Sequence, residues 1–175
     1  LEKYINSQME LESLKIAKKW PNKLDVKIEP KSPAWLWQKL NNKGYFLIDK
    51  EGKVETQINL DQVEWDLPVV RPATTTDIVV GESPVSVEMI NFIQKIYQNI
   101  HQEITDFDID FFELENLETR KIKIYNKNGW YVLVNLDNNI ENVIHLLKVL
   151  MVDKFKDSGP SEYLDLRLED KIFYK

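Results

Sequence analysis

Alternation of apolar and polar side chains is the dominant pattern in this chain, and it predicts β-strands. Every second residue is apolar in five stretches: 14–20, 24–29, 104–111, 121–136 and 163–168. The first two stretches flank Trp20-Pro21-Asn22-Lys23, so they are predicted to pair as a hairpin. Within 121–136, Asn128-Gly129 separates two alternating runs, which is the strongest short-range signal for a second hairpin.

Two other stretches repeat apolar residues every three or four positions, and this spacing predicts helices. The first helix is predicted to begin at Ser86 as N-cap, to carry Glu88 in its first turn and to end near Gln102. The second is predicted to begin after Asn138 or Asn139. Its predicted inward-facing residues are Ile140, Val143, Ile144, Leu147, Leu150 and Met151.

The remaining connections are marked by glycine, proline and breaks in the apolar pattern. Residues 45–54 predict a strand, a tight turn containing Gly52 and a second strand. The stretch from Thr56 to Ser83 shows no period and is predicted to be a loop-rich connection. After Glu169-Asp170, the residues Ile172-Phe173-Tyr174 predict a short last strand, which is a candidate edge of the sheet.

Composition narrows the class of protein. The chain has 175 residues, 43% of them apolar and 30% charged, which is typical of a globular protein. Its net charge of −6 argues against nucleic acid as a partner. Residues 1–34 carry seven basic and five acidic groups, whereas 35–175 carry sixteen and twenty-four. Cysteine is absent, which excludes disulfides, zinc–thiolate sites and a thiol nucleophile.

Seven carboxylates without an intervening base are the first candidate for chemistry, as a calcium site or a catalytic pair. They are Glu103, Asp106, Asp108, Asp110, Glu113, Glu115 and Glu118. A calcium loop normally turns around a glycine, and here the aspartates alternate with apolar residues, which favours a solvated strand face. His101 and His145 each lie alone on a predicted helix, a pattern that favours neither a hydrolase nor a zinc site.

Tryptophans and a basic cluster are the other candidates. Trp35-Leu36-Trp37 predicts either a platform for a sugar or a partner, or the core of a junction between domains. A basic edge is predicted on the second hairpin, either as a solvated face or as an anion site. Its residues are Arg120, Lys121, Lys123 and Lys127.

Four segments resemble one family. Residues 13–29 (SLKIAKKWPNKLDVKIE) and Pro33-Ala34 resemble the closing part of a POTRA domain, although Glu29 and Pro33 lie one residue further apart than in the family pattern. Residues 163–167 (YLDLR) and 171–175 (KIFYK) resemble the ending of the FtsQ/DivIB family of bacterial cell-division proteins. The predicted order of strand, helix, strand, Asn-Gly hairpin, helix and two strands is also similar to that family's β-domain.

The resemblance implies an α+β fold. Residues 1–34 would be the C-terminal part of a POTRA domain, and 35–175 a β-domain with a curved antiparallel sheet backed by two helices. It also implies a non-enzymatic divisome scaffold without a cofactor. The region would be extracytoplasmic, on a single-pass protein of the cytoplasmic (inner) membrane whose membrane helix precedes residue 1. The implied partners are FtsB/DivIC-like and FtsL-like membrane proteins.

The resemblance further implies that the last strand binds the partner by β-strand addition. The resemblance assigns this partner-binding site to Arg167, Leu168, Lys171, Ile172, Phe173 and Tyr174. Arg167 would bind a partner carboxylate, and Phe173 and Tyr174 would be apolar anchors. Two alternatives stay open: a POTRA-type module of an outer-membrane assembly or secretion protein, and a carbohydrate-active enzyme that uses the 103–118 carboxylates.

Overall fold

The structure, a computed structural model, describes residues 11–30, 32–40, 44–59, 66–155, 158–168 and 171–175. The chain divides into two compact units, Leu1–Pro33 and Ala34–Lys175. In the first unit, strands β1 (Leu11–Lys19) and β2 (Lys23–Pro30) pair antiparallel, as predicted. Leu14 lies opposite Ile28 and Ile16 opposite Val26, so the apolar residues share one face of this hairpin. Its assignment to a POTRA domain stays a prediction.

The second unit contains a nine-stranded sheet in the order β11-β10-β9-β8-β7-β6-β3-β4-β5 among the described residues. The strands are β3 (Trp35–Gln38), β4 (Tyr45–Ile48), β5 (Val54–Ile58), β6 (Val69–Pro72), β7 (Ile109–Leu114), β8 (Lys121–Asn126), β9 (Tyr131–Asn135), β10 (Tyr163–Leu168) and β11 (Lys171–Tyr174). Helices α1 (Val87–Glu103) and α2 (Ile140–Val149) belong to the same unit, and Leu150–Phe155 continues α2 as a π-helical segment. The predicted α+β class is therefore confirmed.

The sheet is mixed, with parallel pairs at β3–β6, β6–β7 and β9–β10. Parallel neighbours need a crossover connection, which is usually a helix. Helix α1 connects β6 to β7, and α2 connects β9 to β10. The two helices that were predicted to back an antiparallel sheet thus also connect the strands of two of its three parallel pairs.

Strand β6 corrects the prediction of a loop-rich connection over residues 56–83. It has four residues, Val69–Pro72, and lies inside the sheet between β3 and β7. Val70 is completely buried. A strand of this length between Pro68 and Pro72 is too short to show a period, so only its neighbours reveal it.

Both helices begin at the predicted caps. The side chain of Ser86 accepts a hydrogen bond from the Met89 backbone N–H at 3.2 Å, and Asn139 accepts one from that of Asn142 at 3.0 Å. Helical spacing then places one apolar face of each helix against the sheet, within a single hydrophobic core. None of the helices in the described ranges is both long and apolar enough to cross a membrane.

The predicted Asn-Gly hairpin is confirmed as β8 and β9, with Ile122, Ile124, Val132 and Val134 fully buried. The turn differs in detail from a two-residue Asn-Gly turn. Gly129 donates its backbone N–H to the Asn126 carbonyl at 2.9 Å, so Lys127 and Asn128 are the central residues. Gly129 follows them with φ of 93°, the left-handed conformation that favours glycine.

Strand β7 contains an irregularity between Ile109 and Phe111 that shifts the pairing with β8. The extra residue reverses the alternation, so Phe112 and Leu114 are fully buried and Phe111 is only half-buried. The apolar alternation over residues 104–111 therefore does not keep Phe111 on the same face as Ile109.

Candidate partner-binding edge

The last strand, β11, lies at one end of the nine-stranded sheet, and β10 is its neighbour in that sheet. The two strands are antiparallel, with Leu164 opposite Tyr174 and Asp165 opposite Phe173. Just beyond β11, the Lys175 backbone N–H donates to the Tyr163 carbonyl at 3.1 Å. The Lys175 carbonyl accepts from the Tyr163 N–H at 3.3 Å, so these two residues form a hydrogen-bonded pair.

This pair fixes the direction of the backbone groups along β11. In an antiparallel ladder, successive residues turn their N–H and C=O groups toward alternate sides. Lys175 and Phe173 therefore direct these groups toward β10, while Tyr174 and Ile172 direct theirs away from it. Within the described part of the chain, the outward side of β11 is an edge of the kind to which another strand can add.

The β11 side chains project from both faces of the sheet. Phe173 shares the face of Asp165 and is 50% exposed. Tyr174 shares the face of Leu164, where its ring meets Phe155 edge to face at 5.8 Å. The Lys154 ammonium lies 3.7 Å from the centroid of the Tyr174 ring. Tyr174 is still 49% exposed, so both predicted anchors have surface to offer a partner.

The other apolar site residues differ in burial. Ile172 is half-buried and packs against the core, so its side chain holds β11 to its own domain. Leu168, at the end of β10, is 54% exposed and lies opposite Lys171, which is also exposed. The pairing shifts between Asp165 and Leu168, which marks an irregular end of the β10–β11 ladder.

Arg167 is already paired within its own strand. Its Nε donates to Asp165 Oδ1 at 2.8 Å and its Nη2 to Asp165 Oδ2 at 2.6 Å. These hydrogen bonds lower the pKa of the Asp165 carboxyl, although burial opposes the shift. Sequence reasoning missed Asp165 as the partner of Arg167. The signal was there, because residues two apart on a strand share a face.

Carboxylates of the acidic stretch that was considered as a metal or catalytic site form ion pairs with different lysines. Glu113 lies 2.6 Å from Lys123, measured between carboxylate oxygen and ammonium nitrogen. Glu103 lies 3.7 Å from Lys148 by the same measure. In the described ranges no group of three or more His, Asp or Glu side chains is placed to share a metal ion.

Trp35, Leu36 and Trp37 form β3 and are each at most 2% exposed. Within their own unit they belong to the interior of the protein. The interpretation as a platform for a sugar or a partner is therefore wrong, because a buried ring presents no surface.

The two histidines lie on exposed positions of the helices, as predicted. The His101 ring contacts that of Tyr97 at a tilt of 41°, with centroids 4.3 Å apart, and its Nδ1 lies 3.1 Å from the Tyr97 carbonyl oxygen. Tyr97 in turn donates its hydroxyl to Asp66 at 2.5 Å. Burial and this hydrogen bond raise the pKa of the Tyr97 hydroxyl.

The predicted basic edge on the hairpin is largely neutralised by acidic neighbours. Arg120 donates to Asp137 through Nε at 2.9 Å, and its Nη2 lies 3.2 Å from a Glu88 oxygen. Lys123 pairs with Glu113. These contacts favour the interpretation of a solvated face over that of an anion site.

A sequence model of the family described as "Cell division protein FtsQ/DivIB, C-terminal" matches residues 36–167. That range includes both helices and all of the sheet from β6 to β9. No curated protein matches the chain. The matched family consists of non-enzymatic, membrane-anchored proteins of the division machinery. Because the match covers most of the sequence, the chain belongs to the FtsQ/DivIB family of cell-division proteins.

Proposed function

We propose that this chain is a non-enzymatic divisome scaffold that binds a partner protein by strand addition at β11. The partner strand would lie alongside β11 and take up the N–H and C=O groups that Ile172 and Tyr174 direct outward. The observation that carries the proposal is the position of β11 at the end of the sheet. Membership in a family of division proteins supplies the cellular context.

The side chains around this edge support a partner with both apolar and acidic residues. Leu168, Phe173 and Tyr174 are each about half exposed and would be covered by apolar side chains of an added strand. Lys171 is exposed at the beginning of the strand and Lys154 lies at its side. We infer that FtsB/DivIC-like and FtsL-like membrane proteins supply this segment.

The proposal keeps Arg167 as a partner-binding residue, with a changed role. Because Asp165 already occupies Nε and Nη2, the remaining Nη1 group would meet a partner carboxylate. The partner carboxylate would thus bind a guanidinium that Asp165 already holds in a fixed orientation.

We also infer that the chain acts on the outer side of the cytoplasmic membrane and that Leu1–Pro33 is the end of a POTRA domain. When the layers outside the cytoplasmic membrane have been removed and that membrane is intact, protease added to the cells should then cut the protein. Protection until lysis would contradict this placement.

The decisive experiment compares Ile172→Pro with Ile172→Ala in a pull-down with a purified FtsB/DivIC-like partner. Both variants lose the isoleucine side chain, but only proline removes the outward N–H donor. We expect Ile172→Pro to weaken binding by about tenfold relative to Ile172→Ala, since it loses a ladder hydrogen bond and adds a steric clash. Equal binding by the two variants would contradict strand addition at β11.

A second variant tests the charge of the edge. Arg167→Glu is expected to weaken binding of an acidic partner, while Lys95→Glu, an exposed change of the same sign on α1, is expected to leave binding unchanged. Circular dichroism of both variants controls for folding. Equal loss in the two variants would show a general effect of net charge and would remove Arg167 from the site.

A further inference from the structure

Four aromatic rings form a row across the sheet face that lies opposite the helices. They are Phe111 on β7, Tyr125 on β8, Tyr131 on β9 and Tyr163 on β10, and each is the cross-strand neighbour of the next. Successive ring centroids are 4.4, 5.1 and 5.9 Å apart. All four side chains are half-buried, so this aromatic row is partly open to solvent.

The orientation of the rings decides which kind of ligand they suit. The rings of Phe111 and Tyr125 are stacked at 15°, and those of Tyr131 and Tyr163 at 23°. Stacked rings turn their faces toward each other and their edges outward. A sugar ring stacks on an open aromatic face, and the faces that meet within these two stacked pairs are not open. Tyrosine edges and hydroxyls instead match the apolar and polar atoms of a peptide.

Arg71 of β6 lies at one end of the row and is held in a fixed orientation. Its guanidinium carbon is 3.9 Å from the centroid of Phe111, and its Nε donates to Gln38 Oε1. Gln38 is buried and donates its amide to the Tyr45 hydroxyl at 2.9 Å. Nothing in the described ranges places a carboxylate in an ion pair with Arg71. Its two terminal nitrogens thus retain their charge and a defined direction.

The charges along the row are complementary to an acidic ligand. Lys123 lies 5.4 Å from the centroid of Tyr131, so a second cation also stands over a ring of the row. Two carboxylates at neighbouring positions of this face are already paired, Glu113 with Lys123 and Asp165 with Arg167. Among the residues that the structure describes, the cation left for a ligand at this end of the row is Arg71.

We propose that the aromatic row and Arg71 form a second docking surface, which binds an acidic peptide segment of a partner protein. A carboxylate of the segment would bind Arg71 through its two terminal nitrogens, and apolar side chains would lie along the ring edges. This surface differs from the β11 edge in that it uses ring edges and Arg71, at the far end of the row from β10, and no free backbone groups.

The test measures fluorescence anisotropy of two labelled synthetic peptides with the whole 175-residue chain. One peptide is built of glutamate and leucine, and the other has lysine in place of each glutamate. We expect only the acidic peptide to bind. Arg71→Ala should weaken it by about tenfold, and Arg71→Lys by less, since lysine keeps the charge and loses the planar pair of donors.

Three further variants test whether the acidic peptide binds at the aromatic row. Lys95→Ala, on the helix side, should leave binding unchanged. Since the β11 edge is also proposed to bind acidic segments, Arg71→Ala is repeated in the Ile172→Pro background, where it should weaken binding by the same factor. Tyr131→Ala should weaken binding, and circular dichroism verifies that each variant is folded. No detectable binding, equal binding of both peptides, or loss of binding with Ile172→Pro but not with Arg71→Ala would overturn the proposal.

Discussion

Two glycines with similar backbone angles differ in what surrounds them. Gly52 has φ of 81° and Gly129 has φ of 93°, so alanine at either position would adopt a strained left-handed conformation. A Cβ on Gly52 would also clash with the Val85 carbonyl oxygen, whereas nothing lies within 4 Å of one on Gly129. The backbone of the 49–54 turn is thus packed directly against the segment that precedes α1.

The first prediction compares these two positions. Gly129→Ala should lower the free energy of unfolding by about 1 kcal/mol, the cost of the left-handed residue. Gly52→Ala should lower it by at least about 3 kcal/mol, because the backbone around Val85 must also move. Urea denaturation of both variants measures the difference. Similar losses would show that the contact with Val85 is not a tight one.

Asp165 and Arg167 connect pH to stability at the residue scale. Hydrogen bonds from Arg167 hold the pKa of Asp165 below its usual 3.8 in the folded protein. A carboxyl group with a lowered folded pKa stabilises the protein fully above its unfolded pKa, and this contribution is lost as pH falls through the folded pKa. The pair therefore strengthens the β10 strand at neutral pH and ceases to do so in acid.

The second prediction follows from that sign. Asp165→Asn should reduce the free energy of unfolding by a constant amount above about pH 5. The difference between the variant and the original chain should shrink below about pH 4, where the carboxyl takes up a proton in the unfolded state first, and it should vanish once the pH is below the folded pKa. Denaturation at several pH values measures the difference. A gap that stays constant down to pH 2 would contradict the assigned pairing.

At the scale of elements, the first turn of helix α1 is capped by the side chain of Ser86. Ser86 supplies the acceptor for the Met89 N–H, and Glu88 places a negative charge near the positive end of the helix dipole. The helix then buries Ile90, Ile93 and Ile96 against the sheet. Loss of the cap should therefore lower the free energy of unfolding of the whole second unit.

The third prediction tests that cap. Ser86→Ala should cost about 1 kcal/mol of unfolding free energy, and Ser86→Asp should restore most of it, because aspartate is an equally good N-cap. Ser83→Ala, in the preceding exposed segment, is the matched control and should have no effect beyond about 0.5 kcal/mol. A smaller loss for Ser86→Ala than for the control would show that another group caps the helix.

At the scale of the molecule, the hydrophobic core lies within the second unit. Every residue of the core, from Ala34 to Leu166, falls between Ala34 and Lys175. The Ala34 N–H donates to the Ile48 carbonyl at 2.7 Å, so the first residue of that unit is tied to the sheet. A unit with its own core is expected to fold by itself.

The fourth prediction is that a chain beginning at Ala34 folds cooperatively. Its near-ultraviolet circular dichroism should retain the signal of the buried Trp35, Trp37 and Trp130, since their surroundings lie in the same unit. Thermal unfolding should remain a single transition. Loss of the aromatic signal, with secondary structure retained, would show that the core requires residues 1–33.

The sequence by itself determined the elements with strong local signals. Ser86 and Asn139 are caps because their side chains bond backbone groups three residues away. The hairpins at Trp20–Lys23 and at Asn128-Gly129 follow from alternation on both sides of a turn. The resemblance to the family also followed from short motifs that occur in the family's order along the chain. Each of these signals is local, because the partners lie within a few residues.

Tertiary structure alone decided what depends on neighbours distant in the chain. β6 is a strand because β3 and β7 supply its hydrogen bonds, and no period within its four residues could show this. The irregularity in β7 moves Phe111 to the open face, where rings from three other strands complete the aromatic row. The orientation of Arg71 likewise depends on Gln38, thirty-three residues earlier. Such residues are brought together by long-range pairing of strands, and no local sequence pattern predicts that pairing.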